Sequence, residues 1–447
     1  MTLRTGKLVT GTVWTVGAFG LSQLIRLATN VGLARLLAPE LFGTMLIVNT
    51  LMTGIQLFSD VGIGQNIIHS PNALDPRFYN TAWSLQIIRS IVIWLIFLLA
   101  AIPAAHFYGA PILSAILPVS GFSMVLVGLA SVGPAILQKK MLFGRLTLFN
   151  LATALISSAL LITFAYLTPT IWALVAGGVV GTAVSTVLTY FLVPGLKQRF
   201  HIDKPYLSEI TSYGKWVYFN SMVYFLSTNF DRLYFAKVVP LQVLGIYGIA
   251  RAFSELFGTV ATHLGNSVIF PFIASHADRP RETLRRELVA IRAKFLALVA
   301  LGCSLFIATA DLGIKLLYDQ RYYAAAWMLP VLALGAWFSV VATTNESALM
   351  GLGAPSYTAI ANSVRFLLLV VGLPLSVKFK GLHGGILTLV LVEVCRYAPV
   401  YLGQRRQRFS FAAQDMALTL AMFAMTGLWE SLRWACGFGT SFDSLFK

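Results

Sequence analysis

The sequence predicts an all-α polytopic membrane protein, and three observations predict it. Of 447 residues, 57% are apolar and only 11% charged, against about 25% charged in an ordinary soluble chain. Apolar runs long enough to cross a bilayer recur from one end to the other, giving a mean hydropathy of +0.77. The 33 basic residues outnumber the 17 acidic ones and gather at alternate connections between the runs. This composition excludes an ordinary soluble enzyme and leaves no stretch long enough for a separate water-soluble catalytic domain. Cys303, Cys395 and Cys436 lie in or beside apolar segments, so no disulfide framework is expected.

A helix crossing about 30 Å of hydrocarbon needs roughly 20 apolar residues and satisfies its own backbone groups there. Breaks at polar, Pro and Gly clusters predict spans near 10–37, 43–68, 81–105, 112–137, 147–168 and 171–194. A second set follows near 213–237, 242–272, 295–317, 323–350, 356–377 and 382–402, and a thirteenth apolar stretch, 411–429, leads into an amphipathic tail. The first run is too long for a signal-peptide core and no small-residue cleavage site follows it. These segments group as an N-lobe at 1–200, a C-lobe at 201–410 and a C-terminal apolar helix and tail at 411–447.

With the N-terminus inside, cytoplasmic connections hold Arg4, Lys7, Arg77, Lys139, Lys140, Arg145, Lys197, Arg199 and Lys204, then Arg279, Arg281, Arg285, Arg286, Arg405, Arg406 and Arg408. The opposite side holds only Lys237, Lys315, Arg321, Lys378 and Lys380. This positive-inside bias orients the chain and accounts for most of the +16 net charge without nucleic acid. The longest polar connections, 195–212 and 273–294, read as amphipathic surface helices. The outer connections are too short for the extracytoplasmic loop expected of a glycosyl polymerase or ligase.

A shift of 202 residues brings Trp14 onto Trp216, Ala34–Arg35 onto Ala236–Lys237 and Gly43 onto Gly245. The offset equals six spans, which predicts two parallel six-helix lobes with a site at their interface. Polar residues at helical spacing mark that site. They are Ser22, Gln23, Arg26, Thr29 and Asn30 in the first span, and Asn49, Thr53, Gln56 and Asp60 in the second. Asn220, Tyr224, Ser227, Thr228 and Asp231 follow in the seventh, and Tyr247, Arg251, Ser254 and Glu255 in the eighth. Lesser polar faces carry Gln86 and Arg89, Glu346 and Ser347, and Asn362 and Arg365. An unpaired charge at mid-membrane costs about 2.5–3.5 kcal/mol even on the mild insertion scale, so these groups are expected to face protein or water.

The excess of Arg26, Arg89, Arg251 and Arg365 predicts a cationic cavity, and guanidinium forks chelate phosphate. An anionic headgroup is the natural cargo. Structural readings compete at several positions. Arg251 and Glu255, four apart, can neutralise one another; Asp231–Arg232 reads equally as an interfacial pair; Glu393 and Arg396, three apart, read as a structural ion pair. Arg35 and Lys237 sit near helix ends and snorkel. Arg26 and Asp60 lie deep in polar stripes without a sequence-local partner, although they can pair with each other across helices. Six scattered histidines and the absence of a Cys pair argue against a metal site, no Walker lysine follows Gly62-Ile63-Gly64 or Gly351-Leu352-Gly353, and no cofactor is indicated. Gly177, Gly178 and Gly181 suit close helix packing.

The stretch ARLLAPELFGTMLIVNTLMTGIQLFSDVGIGQNII (Ala34–Ile68) resembles the opening signature of Wzx-type polysaccharide flippases. The matching positions are Pro39, Glu40, Phe42, Gly43, Asp60, Gly62 and Gly64. TNFDRLYFAKVVPLQVLGIYGIARAFSEL (Thr228–Leu256) and YDQRYYAAAWMLPVLALG (Tyr318–Gly335) resemble that family's seventh-to-eighth and ninth-to-tenth helix passages. The resemblance runs over about residues 5–405. It implies membership of the multidrug/oligosaccharidyl-lipid/polysaccharide exporter superfamily and two six-helix lobes in a V around the central cavity. It further implies a transporter, not an enzyme, in a bacterial inner membrane, flipping a polyprenyl-diphosphate-linked oligosaccharide for polysaccharide export by alternating access. Cavity arginines, Arg26 and Arg251 first, would hold the diphosphate, with Gln23, Asn30, Gln56, Asn220 and Tyr224 on the glycan. Asp60, Asp231, Glu255 or Glu346 would couple the cycle to H⁺ or Na⁺, and a polysaccharide polymerase and export machinery are the implied partners. A peptidoglycan-precursor flippase shares the arginine logic, whereas a drug antiporter favours an acidic cavity.

Overall fold

The computed structural model describes residues 2–59, 62–276 and 279–443, with the side chains of 2–16, 18–19, 69 and 211–220 outside that description. Asp60, the side chain of Asn220 and the tryptophans of the internal repeat (Trp14, Trp216) therefore lie outside the described residues. Within them the chain is helical, without a strand. Two compact units divide after Phe225, inside a helix, and each is described by itself.

Unit 1 contains α1 (Thr2–Leu36), α2 (Pro39–Phe58), α3 (Ile63–His69), α4 (Pro76–Tyr108), α5 (Leu113–Leu129), α6 (Gly133–Lys139), α7 (Phe143–Leu167) and α8 (Ile171–Thr189). It ends within α9 (Lys204–Val238). Unit 2 continues with α10 (Leu241–Leu264), a π-turn (Gly265–Ile269), α11 (Phe270–Ser275), α12 (Arg281–Leu317), α13 (Ala325–Gly351), α14 (Ser356–Arg406) and α15 (Ala412–Ala435). Among the described residues eight helices are long and apolar enough to cross a membrane, or nine when α5 and α6, bent by 51°, count as one span. The expected spans on α1, α9 and α15 are also helical, α9 and α15 each carrying several charged residues.

Local chemistry sets the helix limits. Pro39 opens α2, its fixed φ suited to a first turn, Ser59 closes it, and Gly62 at φ 67° leads into α3. Asp75 caps α4 by accepting from the Arg77 amide at 2.8 Å and from the Tyr206 hydroxyl at 2.9 Å. Those two donors, the amide first, hold its carboxyl below the ordinary carboxylate range, so the cap persists until pH falls through that lowered value. At 51 residues α14 would be about 76 Å long if straight. Its backbone breaks instead at Lys380 (φ −132°) and Gly381 (φ 57°, ψ −149°), the latter a conformation essentially confined to glycine. The two arms so formed are the expected eleventh and twelfth spans.

Two expectations are corrected. Residues 195–203 are not a surface helix. Amides of alternate residues Arg199, His201 and Asp203 donate to Asn80 Oδ1, Ser84 Oγ and Thr81 Oγ1 of α4 at 2.9, 2.9 and 3.0 Å. Side chains of α4 thus satisfy the backbone that helix formation would otherwise satisfy. The charged stretch after 280 is likewise no separate helix, because α12 runs unbroken from Arg281 with nothing in its sequence to stop it. Of the three packing glycines, Gly177 and Gly181 bring α8 against Leu161 and Ser157 of α7, while Gly178 faces open space.

The core of unit 2 forms around α13. Trp337, Val340 and Val341 are buried with Leu296, Cys303 and Ile307 of α12 and Met422 of α15. A second set of contacts fixes α15. Arg292, fully buried, donates to Asp415 Oδ1 at 2.9 Å, Gln414 Oε1 at 2.9 Å and Thr344 Oγ1 at 3.1 Å. Asp415 Oδ2 accepts from Asn345 at 2.7 Å and Tyr397 at 2.8 Å. Farther along, Arg433 forks onto both oxygens of Asp311 at 2.5 and 2.6 Å. The thirteenth apolar segment is therefore an integral part of unit 2. Removing one partner of a buried ion pair costs about 3–5 kcal/mol. Asp415→Leu is accordingly expected to lower the melting temperature in detergent, and Arg292→Met added to it to recover much of the loss. An unchanged melting temperature would contradict the account.

Candidate charged site among the helices

The polar stripes of the two units meet different fates. In unit 2, the end of α9 supplies Asp231 and Arg232, and α10 supplies Tyr247, Arg251 and Glu255. Arg232 Nη2 donates to both Glu255 oxygens at 2.6 and 2.7 Å, and its Nη1 to Asn229 Oδ1 at 2.9 Å. The Tyr247 hydroxyl donates to Asp231 Oδ2. Arg251 Nε lies 3.3 Å from Asp231 Oδ2 and 3.3 Å from Glu255 Oε1, a charge contact without an aligned hydrogen bond. Asp231 is 2% exposed at its side chain.

The network continues through α13 and both arms of α14. Arg365 on the first arm reaches Glu393 Oε1 on the second at 2.7 Å. Arg396 forks onto Glu346 of α13, Nε to Oε1 at 3.0 Å and Nη2 to Oε2 at 2.7 Å, while its Nη1 contacts Glu393 Oε2 at 3.2 Å. Arg232, Arg251, Arg365 and Arg396 thus meet Asp231, Glu255, Glu346 and Glu393, four charges of each sign. In a membrane this pairing removes the cost of isolated charge. The structural readings of Arg251–Glu255 and Glu393–Arg396 describe what is observed, and the charges of Arg251 and Arg365 are engaged within the unit.

In unit 1 the stripes stay open. Asn49, Thr53 and Gln56 form an exposed row on α2, opposite its buried Gly43, Ile47 and Thr50. On α1, Arg26 is exposed, whereas Gln23 and Asn30 are half-buried. Arg26 has no carboxylate partner among the described residues, and Gln23 Oε1 is buried without a hydrogen-bond donor among them. Arg89 of α4 donates to the Gln56 carbonyl at 2.7 Å and to Ser59 Oγ at 3.2 Å, capping the C-terminal end of α2, where a cation is favoured. Tyr224 is exposed. Among the described residues no three His, Cys, Asp or Glu side chains group as metal ligands.

Sequence spacing brought out the local pairs but missed those between helices: Arg232–Glu255, Arg365–Glu393, Arg396–Glu346 and the whole Arg292–Asp415 cluster. The available signal was the excess of charged residues inside apolar runs, each of which demands a partner. In chemical terms unit 2 presents a self-neutralised framework, and unit 1 presents a polar face with spare cationic capacity.

The family model described as "Polysaccharide biosynthesis protein" matches residues 32–326. The teichuronic acid biosynthesis protein TuaB of Bacillus subtilis is 22% identical over 301 residues, 67% of this chain and 62% of that protein. The lipopolysaccharide biosynthesis protein WzxC of Escherichia coli is 21% identical over 273 residues, 61% of this chain and 55% of that protein. The matched region thus spans somewhat over half the length of these relatives. Among solved structures, a lipid II flippase, MurJ, in an inward-closed conformation shares the fold. Its TM-score is 0.77 at 13% identity, covering 97% of this chain and 95% of that one.

The Arg365–Glu393 contact clasps the two arms of α14 across the break at Gly381. Removing one partner of a buried ion pair costs about 3–5 kcal/mol. Arg365→Met is therefore expected to speed hydrogen exchange of amides flanking the break by about tenfold or more. Exchange unchanged from wild type would show that the clasp does not hold the arms.

Proposed function

The chain belongs to the polysaccharide biosynthesis protein family, and on that premise we propose that it is a flippase of a bacterial inner membrane. Its cargo is a polyprenyl-diphosphate-linked oligosaccharide repeat unit, moved from the cytoplasmic to the periplasmic leaflet by alternating access, with the N-terminus cytoplasmic.

The observation that carries this reading is Arg26, a guanidinium within the long helix α1 that has no carboxylate partner among the described residues, whereas Arg232, Arg251, Arg365 and Arg396 of the unit 2 network each have one. An anionic diphosphate supplies the missing countercharge in the bidentate geometry that a guanidinium favours. The exposed row Asn49, Thr53 and Gln56, with Gln23, Asn30 and Tyr224, offers donors and acceptors to sugar hydroxyls. Arg89 serves by holding the end of α2. Arg251 and Arg365 are neutralised by Asp231, Glu255 and Glu393 and act as framework. Coupling to H⁺ or Na⁺ at Asp231, Glu255 or Glu346 has to release a guanidinium, so it proceeds by opening a salt bridge. A polymerase and export machinery downstream would take up the flipped unit.

A deletion strain is expected to lose surface polysaccharide while retaining full-length lipid-linked repeat units on the cytoplasmic leaflet. Arg26→Ala, at a normal membrane level, is expected to cut export by about tenfold or more, the value of one charge-assisted contact. Normal polymer with altered drug tolerance in the deletion strain would overturn the flippase reading. Accumulation of a peptidoglycan precursor instead would reassign the cargo.

A further inference from the structure

The C-terminal end of α14, the connection at 407–411 and the first turns of α12 meet at one end of unit 2. Leu284 and Leu288 of α12 are buried together with Phe409 and Phe411 of the connection, and Arg285 Nη1 donates to the Ser410 carbonyl at 3.4 Å. That packing leaves Arg405, Arg406 and Arg408 exposed. Arg408 has φ 53°, a left-handed backbone uncommon outside glycine, and it turns the chain out of the helix line. The nearby acidic groups are engaged elsewhere, Glu282 with Arg286 at 3.5 Å and Glu287 with Arg279 at 3.4 Å. Among the described residues none of the three arginines has a carboxylate partner.

The face of α14 leading to these arginines is apolar. Leu391, Cys395, Ala398, Leu402 and Arg405 are all exposed and follow at intervals of four, three, four and three residues, which places them on one side of the helix. Leu391 and Leu402 are 63% and 54% exposed. A second exposed row on α15, Met416, Leu420 and Phe423, starts from the same end. Apolar rows ending in unneutralised guanidinium groups match an amphiphile with an anionic head, acyl chains along the rows and phosphate at the forks.

We propose that this end of unit 2 binds an anionic phospholipid of the bilayer, its phosphate held by Arg405, Arg406 and Arg408 and its acyl chains lying on α14 and α15. Diffuse attraction by a basic face decays within about a Debye length and acts on any headgroup. This site differs in joining three exposed arginines within four residues to an exposed apolar row. It does not depend on which cargo the chain moves, and it stands or falls separately from the transport reading.

The test uses full-length protein in nanodiscs of phosphatidylcholine with a minority of phosphatidylglycerol, the retained lipid being counted by native mass spectrometry. Wild type is expected to retain phosphatidylglycerol preferentially. R405Q/R406Q/R408Q is expected to lose about fivefold of that preference per arginine removed, the worth of one basic residue at an anionic surface. K140Q/R145Q/K197Q, equal in charge change but on unit 1, is expected to keep it. Equal retention by wild type and the first variant, or equal loss in both variants, overturns the proposal. If the triple variant does not accumulate, R406Q alone is read the same way, with a loss of about fivefold expected and no loss contradicting the site.

Discussion

A charge left alone in hydrocarbon destabilises a helix there by about 2.5–3.5 kcal/mol on the mildest scale, and the arrangement of unit 2 follows from avoiding that cost. Asp231, Glu255, Glu346 and Glu393 each lie against a guanidinium. Those contacts tie α9 to α10, α13 to α14 and the two arms of α14 to each other. Buried ion pairs contribute little net stability compared with well-packed apolar residues. Their effect is geometric: a helix that slides or rotates by one turn separates Arg396 from Glu346 and exposes two charges to lipid. Arg292 and Asp415 act in the same way on α15, and Arg433 and Asp311 on its far end.

That constraint separates framework from function. The end of α9 and α10 in unit 2 carry polar stripes as α1 and α2 do in unit 1, yet the charges of Asp231, Arg232, Arg251 and Glu255 are paired with one another. On α1 and α2 the row Asn49, Thr53 and Gln56 is exposed, Gln23 and Asn30 are half-buried, and Arg26 is exposed without a carboxylate partner among the described residues. On the proposed reading, that guanidinium is the group that meets the anionic cargo. The arginines that balance the carboxylates of unit 2 hold its helices in register.

Much of the fold was legible from hydropathy, because a bilayer demands apolar runs of a set length. The break in α14 was legible too, since Lys378, Lys380 and Gly381 interrupt one apolar run at the point where its helix turns back. Three features were not. The 195–203 segment is charged and lacks a strong helix stop, and only the hydroxyl and amide side chains of α4 that accept its amides make it extended. The start of α12 looked like a surface helix because its charges end where the apolar residues begin, although the backbone passes through without a break. The tie of α15 to α12 through Asp415 is not visible in sequence, because its partner lies 123 residues away. Of the site, local pairs at spacings of three and four were visible in the stripes. The cross-helix pairs that neutralise Arg251 and Arg365 depend on helix packing that no single stripe encodes, which is why the sequence counted these two in a cationic excess where the structure pairs them with carboxylates.

The account is tested most directly by measuring stability and transport side by side in two variants, Arg26→Gln and Arg365→Gln, reconstituted in proteoliposomes with a polyprenyl-diphosphate oligosaccharide. It expects Arg26→Gln to melt like wild type and fail to move the lipid, and Arg365→Gln to lose thermal stability as Glu393 loses its partner. Full transport by Arg26→Gln, together with an Arg365→Gln protein that is stable but inactive, would contradict it and place cargo binding on the paired arginines of unit 2.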